Sequence, residues 1–117
     1  MKNVNTLGLI KEQNLYVEIG DSKSFTVRLK DSAGTKINYD ETHPIKFGMK
    51  PKIEDVPFTL QLTASAVDGE AVISITKEHS VLFLEGSYFY EVWWEKSDTE
   101  TCAVLNGLMV CGRGVKL

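Results

Sequence analysis

The pair Asp68-Gly69 constrains this chain more than any other feature. A two-residue connection of this kind needs positive φ and joins two antiparallel strands in a tight hairpin. Setting Val67 opposite Glu70 puts Ala66 opposite Ala71, Ala64 opposite Ile73 and Leu62 opposite Ile75. These are all apolar, and they share one face of a pleated pair because side chains alternate with period two. The other face carries Thr63, Ser65, Val72, Ser74 and Thr76, which is mostly hydroxyl. Turn chemistry and side-chain pattern therefore specify the same β-sheet.

The alternation recurs on both sides of this hairpin. Leu15, Val17 and Ile19 share one face of a strand that ends at Gly20-Asp21-Ser22. From Ser24 to Lys30, Phe25, Val27 and Leu29 read as inward and Thr26, Arg28 and Lys30 as outward, before a turn at Asp31-Ser32-Ala33-Gly34. Thr35 to Pro44 reads as polar and irregular. Ile45, Phe47 and Met49 then alternate with Lys46, Gly48 and Lys50 in a third strand. Pro57 opens the next segment where it removes no ladder hydrogen bond, and Phe58, Leu60 and Leu62 are expected to carry the core face into the hairpin.

Between Lys77 and Glu85 the alternation stops. A helical turn is expected over Glu78 to Leu82, with Leu82 or Leu84 plugging one end of the core. From Tyr88 to Lys96, Tyr88, Tyr90, Val92 and Trp94 form one face; Phe89, Glu91, Trp93 and Glu95 form the other. After the turn Ser97-Asp98-Thr99-Glu100, setting Lys96 opposite Thr101 turns Ala103 and Leu105 inward, whereas further on Leu108 and Val110 read as inward. Such a change of phase must absorb one extra residue. Asn106-Gly107 supplies it as a bulge or, alternatively, forms a tight turn; the bulge is preferred because a turn leaves the aromatic strand a very short partner. The expectation is an all-β, two-sheet antiparallel β-sandwich of about seven strands with one short helical turn. Residues 1–14, with the patch Leu7-Gly8-Leu9-Ile10, form an N-terminal arm or edge strand, and residues 15–117 a single domain.

Composition excludes several functions. A chain of 117 residues, 43% apolar and 25% charged, suits one soluble globular domain. A formal net charge of −3 argues against a nucleic-acid partner, which needs a basic face. Lys46, Lys50 and Lys52, followed by Glu54 and Asp55, read as a solvated strand edge rather than a phosphate-binding patch. No apolar run approaches the roughly 20 residues that cross a bilayer, so no membrane partner is expected. Met1-Lys2-Asn3-Val4-Asn5 lacks the apolar core of a signal peptide, which points to synthesis in a cytoplasm. Cys102 and Cys111 are accordingly expected reduced, with a disulfide as the alternative if Asn106-Gly107 were a turn.

Catalytic chemistry has little to draw on. His43 and His79 read as surface or capping residues. Asp31, Asp40, Glu41, Glu54, Asp55 and Asp68 sit in expected turns, where they bond the local backbone; calcium at converging loops is the lesser alternative. Neither a Gly-x-Ser-x-Gly elbow nor a glycine-rich phosphate loop occurs. No catalytic residue, cofactor or metal ligand is assigned, and an enzyme is not expected.

The anomaly is the outward face of the aromatic strand. Phe89 and Trp93, rimmed by Glu91 and Glu95 and extended by Val104 and Met109, read as a protein interface. Cover by the arm at residues 1–14 is one alternative, and stacking of a sugar on Trp93 or Tyr16 is another.

Several segments carry a family resemblance. They are Phe25-Thr26-Val27-Arg28-Leu29-Lys30-Asp31 with its turn to Gly34, Gly69-Glu70-Ala71-Val72-Ile73-Ser74-Ile75, Gly86-Ser87-Tyr88-Phe89-Tyr90-Glu91-Val92, and Leu105-Asn106-Gly107-Leu108-Met109-Val110. Over roughly residues 24–111 the chain resembles small immunoglobulin-like domains of tailed-phage virion proteins, including the N-terminal domain of baseplate upper proteins. Where that family commonly has an Asp-Leu-Thr-Gly-like segment, this chain has Ile37-Asn38-Tyr39-Asp40. The resemblance implies an immunoglobulin-like, non-enzymatic structural component of a bacteriophage virion, made in the bacterial host cytoplasm. Its partners would be other capsid, connector, tail or baseplate proteins, or further copies of itself.

Overall fold

A computed structural model describes residues 11–31, 33–52, 54 and 57–113; the expected patch Leu7 to Ile10, with Ser32 and Asp55, lies outside the described residues. The strands are β1 (Lys11–Glu12), β2 (Leu15–Glu18), β3 (Lys23–Val27), β4 (Leu29–Lys30), β5 (Lys36–Ile37), β6 (Ile45–Lys50), β7 (Leu60–Thr63), β8 (Ser65–Val67), β9 (Glu70–Ile75), β10 (Gly86–Glu95) and β11 (Thr101–Gly112). Among the described residues one helix, α1 (Lys77–Ser80), precedes β10. The larger sheet runs β1-β11-β10-β6-β7, with β2 also on β11, and a three-stranded sheet runs β3-β9-β8. All-β architecture is thus as expected. The larger sheet is mixed rather than wholly antiparallel, because β1 and β2 lie parallel to β11. A parallel pair needs a long connection, and here nearly the whole chain lies between the two partners.

The hairpin at Asp68-Gly69 has the expected register, Val67 opposite Glu70 and Ala66 opposite Ala71, with φ of 51° and 77° at the two turn residues. Upstream of Ser65 the chain departs from it. Ala64, 1% exposed, gives its N–H to the Ile45 carbonyl, and β7 pairs with β6 so that Leu62 faces Phe47 instead of Ile75. One continuous run therefore contributes to both sheets, a corner that strands make by switching partners. Tyr39 holds this corner. Its hydroxyl donates to the Ala64 carbonyl and accepts from the Ile45 N–H, so a buried phenol is satisfied in both roles. The stretch that reads as irregular thus contains a core tyrosine as well as β5.

β4 and β5 pair in a further two-stranded sheet, and the larger sheet meets the three-stranded one through rings. Phe25 of β3 stands edge-on to Phe47 of β6 at 5.9 Å between centroids, and Phe47 stacks on Tyr90 of β10 at 5.8 Å. These, with Val17, Ile45, Met49, Ile73, Ile75 and Val92, form the shared core.

The plug at the end of the core is Phe83, and Leu82 and Leu84 stay exposed. Ser80 explains the rotation. It is fully buried, accepts from the Gly20 N–H and donates to the Asp21 carbonyl, tying α1 to the turn after β2. With Ser80 inward, the residue three further on is inward too. Thr76 caps α1, and His79 returns the bond to the Thr76 N–H, a capping box.

β11 contains a phase shift, though not at Asn106-Gly107. Glu95 faces Thr101, Trp94 faces Cys102 and Trp93 faces Ala103, after which Val92 faces Leu105. Val104 is the extra residue, and Val104 and Leu105 are both buried. Asn106 and Gly107 continue the strand opposite Glu91 and Tyr90. The inward residues beyond are Met109 and Cys111, not Leu108 and Val110, because Met109 faces the core residue Tyr88. Cys102 and Cys111 are free and stand nine positions apart on one strand, on the order of 30 Å.

Candidate functional site

The outward face of the larger sheet is not the flat apolar patch that alternation predicts. Met109 is fully buried and Val104 nearly so, and neither reaches that surface. Phe89, Glu91, Trp93 and Glu95 do lie on the outward side of β10. Lys46 and Lys50 join them from β6, which is an interior strand between β10 and β7 rather than a solvated edge.

Phe58 was expected in the core, but it folds onto this outer face. Its ring covers Gly48, where a Cβ would collide with it, and stacks on Trp93 at 5.7 Å between centroids and 21° between planes. The Lys50 ammonium sits 5.3 Å from the centre of the Phe58 ring, a cation–π contact. Trp93 Nε1 donates to Glu95, which also pairs with Lys46 at 3.3 Å. Trp93 thus supports Phe58 from the side, and that contact occupies one face of the indole.

On the opposite flank the chain entering β2 forms a second wall. Gln13 donates its N–H to the Asn106 carbonyl, and Tyr90 gives its hydroxyl to the Gln13 carbonyl through the space left by Gly107. A Cβ at Gly107 would strike that carbonyl, so glycine is needed for the chain to pass so close. Burial pushes the Tyr90 phenol up to about 12, which keeps it a donor. Asn14 accepts from the Leu108 N–H through Oδ1.

Between these walls lies an open groove of about 750 Å³. Register sets its floor in two cross-strand rows. Asn106, Glu91 and Gly48 lie side by side on β11, β10 and β6; Leu108, Phe89 and Lys50 form the adjacent row. One row is polar, and the other is apolar until it ends in the lysine. Phe58 and Phe89 are 40% and 38% exposed, which leaves ring surface available at one wall and on the floor. Burial raises the Glu91 carboxyl above its ordinary range, and the Lys50 charge partly offsets this. Among the described residues, no hydrogen bond engages the Glu91 carboxylate or the side-chain amides of Gln13 and Asn106.

Other candidate residues stay apart from the groove. His79 closes the capping box of α1 by accepting from the Thr76 N–H, and His43 contacts Thr42 beside the carbonyl that receives Trp94 Nε1. Asp31 and Asp40 bond the backbone of their own turns, as expected. Among the described residues no three His, Cys, Asp or Glu side chains converge as metal ligands. Sequence reasoning placed Phe89, Glu91 and Trp93 outward but missed Phe58, Lys50, Gln13 and Asn106. Gly48 was the available signal, because a glycine inside a strand often marks a close approach from above. No protein-family model matches this chain, and no curated protein matches it in sequence.

Proposed function

We propose that this protein is a non-enzymatic, immunoglobulin-like recognition module of a tailed-phage virion, and that it binds a small polar ligand, a glycan, in the groove across β10. The immunoglobulin-like reading draws support from strand order. In that reading the three-stranded sheet and the β11-β10-β6-β7 run would be the two sheets of the sandwich. Tyr88, at the start of β10, accepts from the Leu84 N–H four residues upstream, the arrangement of a tyrosine corner. The virion assignment rests on the resemblance set out above.

The lining of the groove carries the choice of ligand. A protein-docking face is apolar at its centre and polar at its rim. Here the central strand carries a carboxylate, Glu91, beside the Asn106 amide as well as the Phe89 ring, and the surface is concave. Convergent polar groups in a trough of this volume fit a small ligand. Docking onto another virion protein through Phe89, Glu91, Trp93 and Glu95 is the other reading of the same face.

A glycan array probed with wild type and Phe89→Ala, with light scattering alongside, tests the choice. Binding lost in Phe89→Ala supports the module. Silence on the array, with self-assembly that Phe89→Ala abolishes, would return the face to protein docking.

A further inference from the structure

The two rows on the groove floor constrain the ligand further, on the premise that the groove is a recognition site. From the Gln13–Asn14 wall to the Phe58 ring the floor crosses β11, β10 and β6. At about 4.8 Å between neighbouring strands, that is room for an extended chain lying across the strands rather than for a single ring. Such a chain meets Asn106 and Glu91 along one edge and Leu108 and Phe89 along the other. An extended ligand with hydroxyls on one side and C–H faces on the other matches both rows. The ionic groups balance, one carboxylate at Glu91 against one ammonium at Lys50, so the lining offers no net charge to a ligand. A ligand carboxylate laid along the polar row would meet Glu91 at once, whereas a hydroxyl donates to it. Glu91 and the amides of Gln13 and Asn106 have unused hydrogen-bonding capacity, which suits a ligand rich in both donors and acceptors.

We infer that the groove binds a neutral, linear oligosaccharide across β11, β10 and β6, with sugar C–H faces on Phe89 and Phe58 and hydroxyls on Glu91, Asn106 and Gln13. Selectivity then comes from length and neutrality. A single sugar spans part of the floor and leaves one wall unused. An acidic oligosaccharide of equal length is rejected by Glu91.

Calorimetric titration with neutral β- and α-linked gluco-oligosaccharides and chito-oligosaccharides, from one to four sugars, and with oligogalacturonate provides the test. Affinity for one neutral series should rise with length, and oligogalacturonate should bind at least about tenfold more weakly, a difference of about 1.4 kcal/mol. Asn106→Ala and Phe89→Ala should each weaken binding about tenfold, while Tyr16→Ala, on an exposed ring outside the groove, should leave it unchanged. Melting curves and circular dichroism confirm that each variant folds. Preference for oligogalacturonate with the same Phe89 dependence would overturn neutrality and keep the recognition module. Loss of binding in Tyr16→Ala with Phe89→Ala unaffected would move the site off this groove. Absence of binding by every sugar, together with a silent array, would overturn the recognition module itself.

Discussion

Two residues set the character of the groove, one its shape and one its charge, and each makes a measurable prediction. Gly107 admits the Gln13 carbonyl, which receives the Tyr90 hydroxyl. Gly107→Ala would force residues 11–14 away from β11 and should lower unfolding free energy by about 2–3 kcal/mol in urea titrations. Hydrogen exchange at the Gln13 amide should accelerate with it; unchanged protection there would show that the glycine is not needed for the approach. Glu91 acts through charge. Its raised carboxyl pKa means the native state holds the proton better than the unfolded chain does. The stabilising contribution is therefore complete below the ordinary carboxylate pKa and disappears as pH rises through the raised value. Glu91→Gln should raise Tm at pH 7 and lose that advantage below about pH 4. A Tm gain that is the same at both pH values would assign the effect to packing instead.

At the scale of elements, α1 is held by one buried hydroxyl. Ser80→Ala removes the acceptor for the Gly20 N–H and should destabilise the protein by about 1–3 kcal/mol, measured by thermal melting. A change under half a kcal/mol would mean that the turn holds its place through Phe83 alone. The long strand β11 shows how far alternation can be read. Beyond Gly107 it runs Leu108-Met109-Val110-Cys111, apolar at every position, so period two has no contrast with which to choose a face. The partner chooses, through Tyr88 opposite Met109 and the extra residue at Val104. Where contrast was present, as in Leu15-Tyr16-Val17 and Ile45-Lys46-Phe47, the faces were legible. The hairpin at Asp68-Gly69 was legible for the same reason, and only the sheet switch at Ala64 escaped, since an alanine fits either arrangement.

The molecule as a whole combines a core that rings and alternation announce with a site that they announce only in part. Outward Phe89, Glu91 and Trp93 follow from the pattern of one strand. Phe58, Lys50, Asn106 and Gln13 reach the groove from separate segments, and only the tertiary arrangement brings them together. The cysteines test that arrangement independently of any ligand. Cys102 is partly exposed, whereas Cys111 is buried and burial pushes its thiol up to about 11. In native protein, Ellman's reagent should therefore modify Cys102 quickly and Cys111 only on unfolding, and reductant should leave Tm unchanged. Two thiols reacting at the same rate would contradict the phase assigned to β11.

The most direct test of the groove as a binding site is a ¹⁵N–¹H correlation titration with a neutral linear tetrasaccharide. Shifts should concentrate at Lys50, Phe58, Phe89, Glu91, Asn106 and Leu108, leaving β3, β8 and β9 still. Shifts centred on the three-stranded sheet or on the exposed Leu82–Leu84 tip, or an unchanged spectrum at millimolar sugar, would contradict it.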